Sequence, residues 1–251
     1  MPDVSAYLLL YGPDEALQRE ALDSLFRALP APQRPYASVW CNVVSPHTLR
    51  LLADLPYTVY ESAANVPKYV AMRKMFAHGV TQPWILWLDD DTRMLPGWWE
   101  ATENYLKAKQ AENVCLVGQG WYSHDLEWRR KFVMESTWWR GREWNMHRGR
   151  IQCHFPIGGY WWLRRDVRDL LDWPDPRLSH NGGDTLLAEA VRQQGLPFHS
   201  FAGKVKTQLL GAGPSGRRGI KERPAGMAGS VLGTDYHLDL AQVKIWKGQG
   251  K

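Results

Sequence analysis

The 251-residue sequence is poor in cysteine, with only Cys41, Cys115 and Cys153, far apart. An odd, sparse set excludes a disulfide framework, and the lack of any CxxC pair argues against structural zinc. Long hydrophobic runs are missing too. No stretch of eighteen apolar residues occurs, which excludes a membrane-spanning helix. The apolar residues 6–11 are too few for a signal peptide, and no basic segment precedes them. Internal repeats and composition-marked linkers are likewise absent. These absences predict a cytoplasmic, monomeric protein of one domain spanning residues 1–251. Hydrophobic residues make up 44% and charged residues 23%, which excludes a disordered chain and suffices for a real core.

Two quantities are high instead. The formal net charge is +5 with a pI of about 9.1, and there are 14 tryptophans. A modest positive charge is compatible with an anionic partner such as nucleotide or nucleic acid, and equally with none.

Apolar runs at Val4–Tyr11, 36–44, 57–61 and 83–88 read as strands. Helical patterns separate them: one capped by Asp14 with Leu17, Leu22, Leu25 and Phe26 on its apolar face, then 47–55 and 66–78. A helix at 100–109 and a strand at 114–118 follow. This alternation predicts an α/β fold, an open, mostly parallel sheet with helices on both faces. After Gly118 the texture changes, and residues 121–150 are polar, basic and aromatic without clear period. A strand at 157–163, a short helix at 166–171 and a helix at 184–194 come next, the last stopped by Gly195. Residues 203–233 read as a glycine-rich basic loop, and 238–246 as a closing strand or helix.

The chemistry points to Ile85-Leu86-Trp87-Leu88-Asp89-Asp90-Asp91-Thr92, three acids directly after a buried strand. Ligands of open parallel sheets bind beyond the carboxyl ends of the strands. Clustered carboxylates repel one another unless a cation neutralises them. Mg²⁺ or Mn²⁺, its shell completed by diphosphate oxygens, is the natural occupant, with Asp89 and Asp91 as metal ligands. A solvated acidic turn is the plain alternative. The aspartyl-phosphate pattern DxDx[TV] fits poorly, because Arg93 takes the place of its threonine.

Leu88–Thr92 followed by Pro96 resembles the DxD motif of family-2-type GT-A glycosyltransferases. The helix through Asn65-Val66-Pro67-Lys68-Tyr69 is similar to that family's helix before the DxD strand. Ile157-Gly158-Gly159-Tyr160-Trp161-Trp162 resembles its glycine-bearing strand beside the donor sugar. Gly183-Asp184-Thr185-Leu186-Leu187, closing at Gly195, resembles its xED motif, with Gly183 where an acid is common. The resemblance covers roughly residues 4–201. It implies a GT-A fold and a metal-dependent transferase using a nucleotide-sugar, UDP-sugar first. Residues 4–118 then form the nucleotide-sugar half and 119–251 the acceptor half. Nucleotide contacts fall on Tyr11, Asn42, Asp89, Asp90, Gly158 and Gly159. Where the family carries an aspartate-rich motif this chain has Val39-Trp40-Cys41-Asn42-Val43, and the Asn42 amide offers a base edge both donors and an acceptor. The family also implies a late histidine as metal ligand, His237, with His199 as rival.

Asp184 stands on its own chemistry. Inverting transfer needs a base for the acceptor hydroxyl, and a carboxylate at a helix N-terminus after Asn181-Gly182-Gly183 suits that role. A helix cap is the other reading, compatible with the first. Arg217 and Arg218, among glycines, suit diphosphate oxygens.

Half the tryptophans fall between Trp121 and Trp162, interleaved with Arg129, Arg130, Lys131, Arg140, Arg142, Arg148 and Arg150. Tryptophan stacks on sugars and on bases, and arginine favours a phosphate-bearing acceptor. Acceptor contacts are expected at Trp161, Trp162, Arg140 and Arg142; core packing with a solvated basic face is the alternative. The texture resembles phage enzymes that glycosylate hydroxymethylated pyrimidines in DNA, which implies a DNA acceptor with a flipped base. A glycan, protein or small-molecule acceptor, and a non-catalytic nucleic-acid-binding module, are the competing readings.

Overall fold

The computed structural model describes residues 3–109, 114–123, 126–179, 182–201, 207–209 and 243–250. The chain opens as predicted: β1 (Val4–Tyr11), α1 (Glu15–Ala28), β2 (Ala37–Asn42), α2 (Pro46–Ala53), β3 (Thr58–Ser62), α3 (Lys68–Gly79) and β4 (Trp84–Asp89). Local chemistry sets the boundaries. Asp14 Oδ1 accepts from the Leu17 amide at 3.0 Å, and Ser45 caps α2 ahead of Pro46 at the first helical position.

A short β5 (Thr92–Met94) follows the acids, then α4 (Trp98–Lys109) and β6 (Leu116–Ser123), longer than its apolar part indicates. The aperiodic region holds a short α5 (Arg130–Met134) and a two-residue hairpin, β7 (Met146–His147) with β8 (Arg150–Ile151). β9 (Cys153–Arg164), α6 (Arg165–Leu171), α7 (Gly183–Gln193), β10 (Phe198–Ser200), β11 (Thr207–Leu209) and β12 (Lys244–Lys247) complete the described residues.

Eight strands form one sheet in the order β10-β6-β9-β4-β1-β2-β3-β12. β1 pairs in parallel with β2 and β4, as do β2 with β3 and β6 with β10. β9 is antiparallel to both β4 and β6, and β12 to β3. The α/β fold with helices on both faces is therefore what the structure has. One face buries Tyr7, Trp40, Trp87 and Trp161 under α3 and α7. The other buries Leu8, Leu10, Leu86 and Trp162 under α1 and α4. β1 and β4 are covered on both sides, which is why their sequences are continuous apolar runs. The acids after β4 emerge at the carboxyl edge of this sheet.

Candidate active site

The glycines of β9 bring the acids together. Asp184 Oδ2 lies 3.1 Å from where a side chain would begin on Gly158. Asp91 Oδ1 lies 3.3 Å, and Asp89 Cβ 3.7 Å, from the same point on Gly159. The bare glycine backbone thus separates Asp184 on one flank from Asp89 and Asp91 on the other, and any Cβ would narrow that space.

Asp89 is tightly held. Its Oδ2 accepts from Lys68 Nζ at 2.7 Å and its Oδ1 from Trp87 Nε1 at 2.9 Å. The same Lys68 ammonium donates to the Gly158 carbonyl at 2.7 Å, and Lys68 is only 7% exposed. Thr92 Oγ1 donates to the Gly159 carbonyl at 2.7 Å, fixing the turn to β9 from the other side.

Asp184 stands in the first turn of α7. Gly182 enters the helix at φ +70° without a side-chain cap. A Cβ there would overlap the buried Arg129 guanidinium, and one on Gly183 would overlap the Tyr69 ring. Both glycines are therefore required by close packing, not merely by chain flexibility. Tyr69 is buried beneath this helix start, hydrogen-bonded to the Asp184 backbone. Desolvation pushes the Asp184 carboxyl above the usual carboxylate range, and Lys68, the Thr185 and Asp184 amides and Arg129 oppose it. A carboxylate made more basic while cations remain nearby suits a proton acceptor.

At the nucleotide side the structure corrects two expectations. Asn42 is 3% exposed, and both its N–H bonds are spent, on Asn65 Oδ1 at 2.9 Å and the Val66 carbonyl at 2.8 Å. Its Oδ1 accepts from the Val66 amide at 2.8 Å. Asn42 clamps the start of α3 to β2 and has no donor left for a base. Asp90 is 1% exposed and turned inward, accepting from the Tyr11 amide at 3.0 Å, so it ties β4 to β1 and does not face a ligand. Tyr11 stays at the carboxyl edge, half-buried, its hydroxyl accepting from Asn65 Nδ2 at 3.4 Å. Val43 beside it has φ +58°, a costly conformation for a β-branched residue and a mark of a constrained site that sequence reading misses.

The acceptor expectations are corrected as well. Trp161 is 1% exposed and stacked on Trp87 at 6.1 Å; Trp162 is fully buried, its Nε1 donating to Tyr160 Oη at 2.9 Å. Successive strand residues face opposite sides, and both sides are covered here. Arg142 Nε donates to the Gln193 carbonyl at 2.9 Å, and Arg140 donates to the Thr137 and Trp139 carbonyls. Gln193 ends the 11-residue α7 and its side chain also accepts from the Arg140 amide, so both arginines meet that helix about 13 Å beyond Asp184 along its axis. His199 on β10 is three strands away from β4, about 14 Å across the sheet. Arg217, Arg218 and His237 lie outside the described residues.

The donor set fits a hard cation shared with a ligand. Among the described residues no three acid, histidine or cysteine side chains gather as a metal site. One or two carboxylates beside an open glycine backbone are what Mg²⁺ or Mn²⁺ uses when phosphate oxygens supply the rest. Asp91 would hold it, with Asp89 behind.

An open sheet with acids at its carboxyl edge, a glycine strand beside them and a helix-borne carboxylate opposite is the architecture of GT-A glycosyltransferases. Residues 43–171, just over half of the chain, match the model described as Glycosyl transferase family 2, and the chain belongs to that family. The mannosyltransferase PcManGT from Pyrobaculum calidifontis, solved with GDP-Man and Mn²⁺, shares the fold with a TM-score of 0.51 at 17% identity, over 80% of this chain and 56% of that one. GalNAc-T7, solved with UDP, GalNAc and Mn²⁺, has a TM-score of 0.53 at 11% identity, over 77% of this chain and 41% of its own. The chain therefore spans about half the length of these structures, and the likeness is one of fold. No curated protein sequence matches it. Among the described residues no helix is long and apolar enough to cross a membrane.

Proposed function

We propose that this glycosyltransferase moves a sugar from a nucleoside-diphosphate sugar, a UDP-sugar first, to a hydroxyl acceptor with inversion, using Mn²⁺ or Mg²⁺. The observation that carries the reading is the glycine backbone of β9 held between Asp184 and the pair Asp89 and Asp91. Asp184 takes the proton as the acceptor oxygen attacks the anomeric carbon and the bond to the diphosphate breaks. A cation held beside Asp91 would supply charge stabilisation for the departing diphosphate. Gly158 and Gly159 leave room for the donor sugar, and Tyr11 borders the nucleotide. Arg217, Arg218 and His237 belong to the same proposal through sequence alone. A cytoplasmic monomer is part of it too, and the three buried free thiols support a reducing compartment.

The test is donor hydrolysis across nucleotide-sugars with Mn²⁺, repeated with EDTA and with Asp91→Ala. Loss of turnover in both is expected, with the folded state intact by circular dichroism. Full activity in EDTA overturns the metal assignment.

For the acceptor, the finer proposal is a hydroxymethylated base such as 5-hydroxymethylcytosine in DNA. The exposed side chains of Arg130, Lys131, Arg148 and Arg150 support an anionic acceptor. With Trp161 and Trp162 in the core, base stacking on them forms no part of it. Binding to duplex DNA should weaken steeply with salt, a log–log slope of roughly −0.9 per phosphate contact. Undetectable binding at low salt, or equal transfer to a free sugar, selects a glycan or small-molecule acceptor.

A further inference from the structure

The site contains a cation of its own before any metal arrives. Lys68 opens α3, is nearly inaccessible, and reaches Asp89 Oδ2 and the Gly158 carbonyl at 2.7 Å each. The second oxygen of Asp89 is taken by Trp87 Nε1. The charge of Asp89 is thus already balanced and both its oxygens are engaged. A divalent ion approaching alone meets a carboxylate that has a partner and an ammonium that repels it. The described residues hold no three-ligand cluster, so a cation here needs ligands beyond them, which diphosphate oxygens can supply.

We propose that Lys68 is a positioning residue, the built-in counter-ion of Asp89, which keeps Asp89 from chelating so that the metal is retained only together with a nucleoside diphosphate. The inference rests on the diphosphate-donor reading above and assigns this chain a specific binding order. Lys68 joins α3, the end of β4 and the glycine strand, so the site is assembled when empty. Diphosphate oxygens then supply the ligands that Asp89 withholds.

The experiment measures free Mn²⁺ by electron paramagnetic resonance on the full chain, with and without UDP or GDP. Wild type is expected to hold Mn²⁺ weakly alone and at least about tenfold more tightly with one of these nucleotides. Lys68→Met, which frees Asp89, is expected to hold Mn²⁺ alone at least about tenfold more tightly than wild type. Lys68→Gln, which retains a hydrogen-bond donor without the charge, should show the same gain, and serves if the methionine variant fails to fold. Lys68→Arg should stay with wild type. Asp89→Asn should leave Mn²⁺ binding alone unchanged in the wild-type background and cancel the gain in Lys68→Met. A merely structural lysine moves stability and leaves this affinity unchanged. Unaltered or weaker Mn²⁺ binding in both neutral variants overturns the proposal. If neutral variants gain affinity but neither nucleotide tightens Mn²⁺ in wild type, the counter-ion role stands, while the binding order and the donor reading both fail.

Discussion

At the residue scale, burial makes the charge of Asp184 costly to the folded state. Burial raises its carboxyl above the ordinary value. Below about pH 4, the ordinary value, it is neutral whether folded or unfolded and costs nothing. As pH rises, the unfolded chain ionises first, so the stability this group contributes is lost through its raised folded value. Asp184→Asn is therefore expected to unfold at a higher temperature than wild type at pH 7, with the difference vanishing near pH 3. Transfer should fall at least about a hundredfold, the effect of losing a general base, with nucleotide-sugar binding kept. Wild-type kcat/KM should show an acid limb above the usual carboxylate range. Melting curves and a pH–rate profile check both halves. Tyr160 answers a different question. Its buried hydroxyl accepts from Trp98 Nε1 and Trp162 Nε1, each at 2.9 Å. Tyr160→Phe orphans two buried donors and should cost about 2–4 kcal/mol by urea unfolding, at roughly 1–3 kcal/mol each with partial relaxation. Neither indole is expected to alter acceptor KM.

At the scale of elements, α3 and α7 organise the site from their first turns. Lys68 binds the acid strand, and the adjacent Tyr69 lies under Asp184. Most of the elements were legible because their periods were clear: β1 and β4 as apolar runs, α7 as an amphipathic helix ended by Gly195. Asp89, Asp91, Gly158, Gly159 and Asp184 were legible as motif residues, and the structure gathers them. Lys68 was not, because a lysine in a helical pattern reads as solvated. A signal was present all the same: a cation in the first turn opposes the helix dipole and implies an acid partner. Trp161 and Trp162 were misread because two neighbours on a strand covered on both faces must both be core. The arginines near α7 give a sharp test. Arg142→Ala removes a donor from the Gln193 carbonyl at the helix end and should cost about 1 kcal/mol, with acceptor KM unchanged. A raised acceptor KM at full stability would reverse the assignment of Arg142 as a helix cap.

At the scale of the molecule, the sheet is built from widely separated parts of the chain. The order of β1 to β4 follows from crossover rules that sequence alternation exposes. The insertion of antiparallel β9 between β4 and β6 has no local signature, since its pairing is decided by partners distant in sequence. The same holds for β12, whose Lys244 to Lys247 pair with Glu61 to Thr58. Deleting residues 243–251 should leave β3 as a bare edge and produce association detectable by light scattering, since unpaired edges template contacts with other chains. Unaltered monodispersity would show that β12 is dispensable.

That pairing also sets a clock. Trp246 Nε1 reaches Glu61 across 185 residues of sequence. A ribosome adding about 5–20 residues per second needs roughly ten to forty seconds to cover that span. Throughout that interval β3 has been synthesised and β12 has not. The newborn chain therefore passes through a stage in which the outer side of β3 has no partner strand from its own sequence, a flank open to other chains while translation continues.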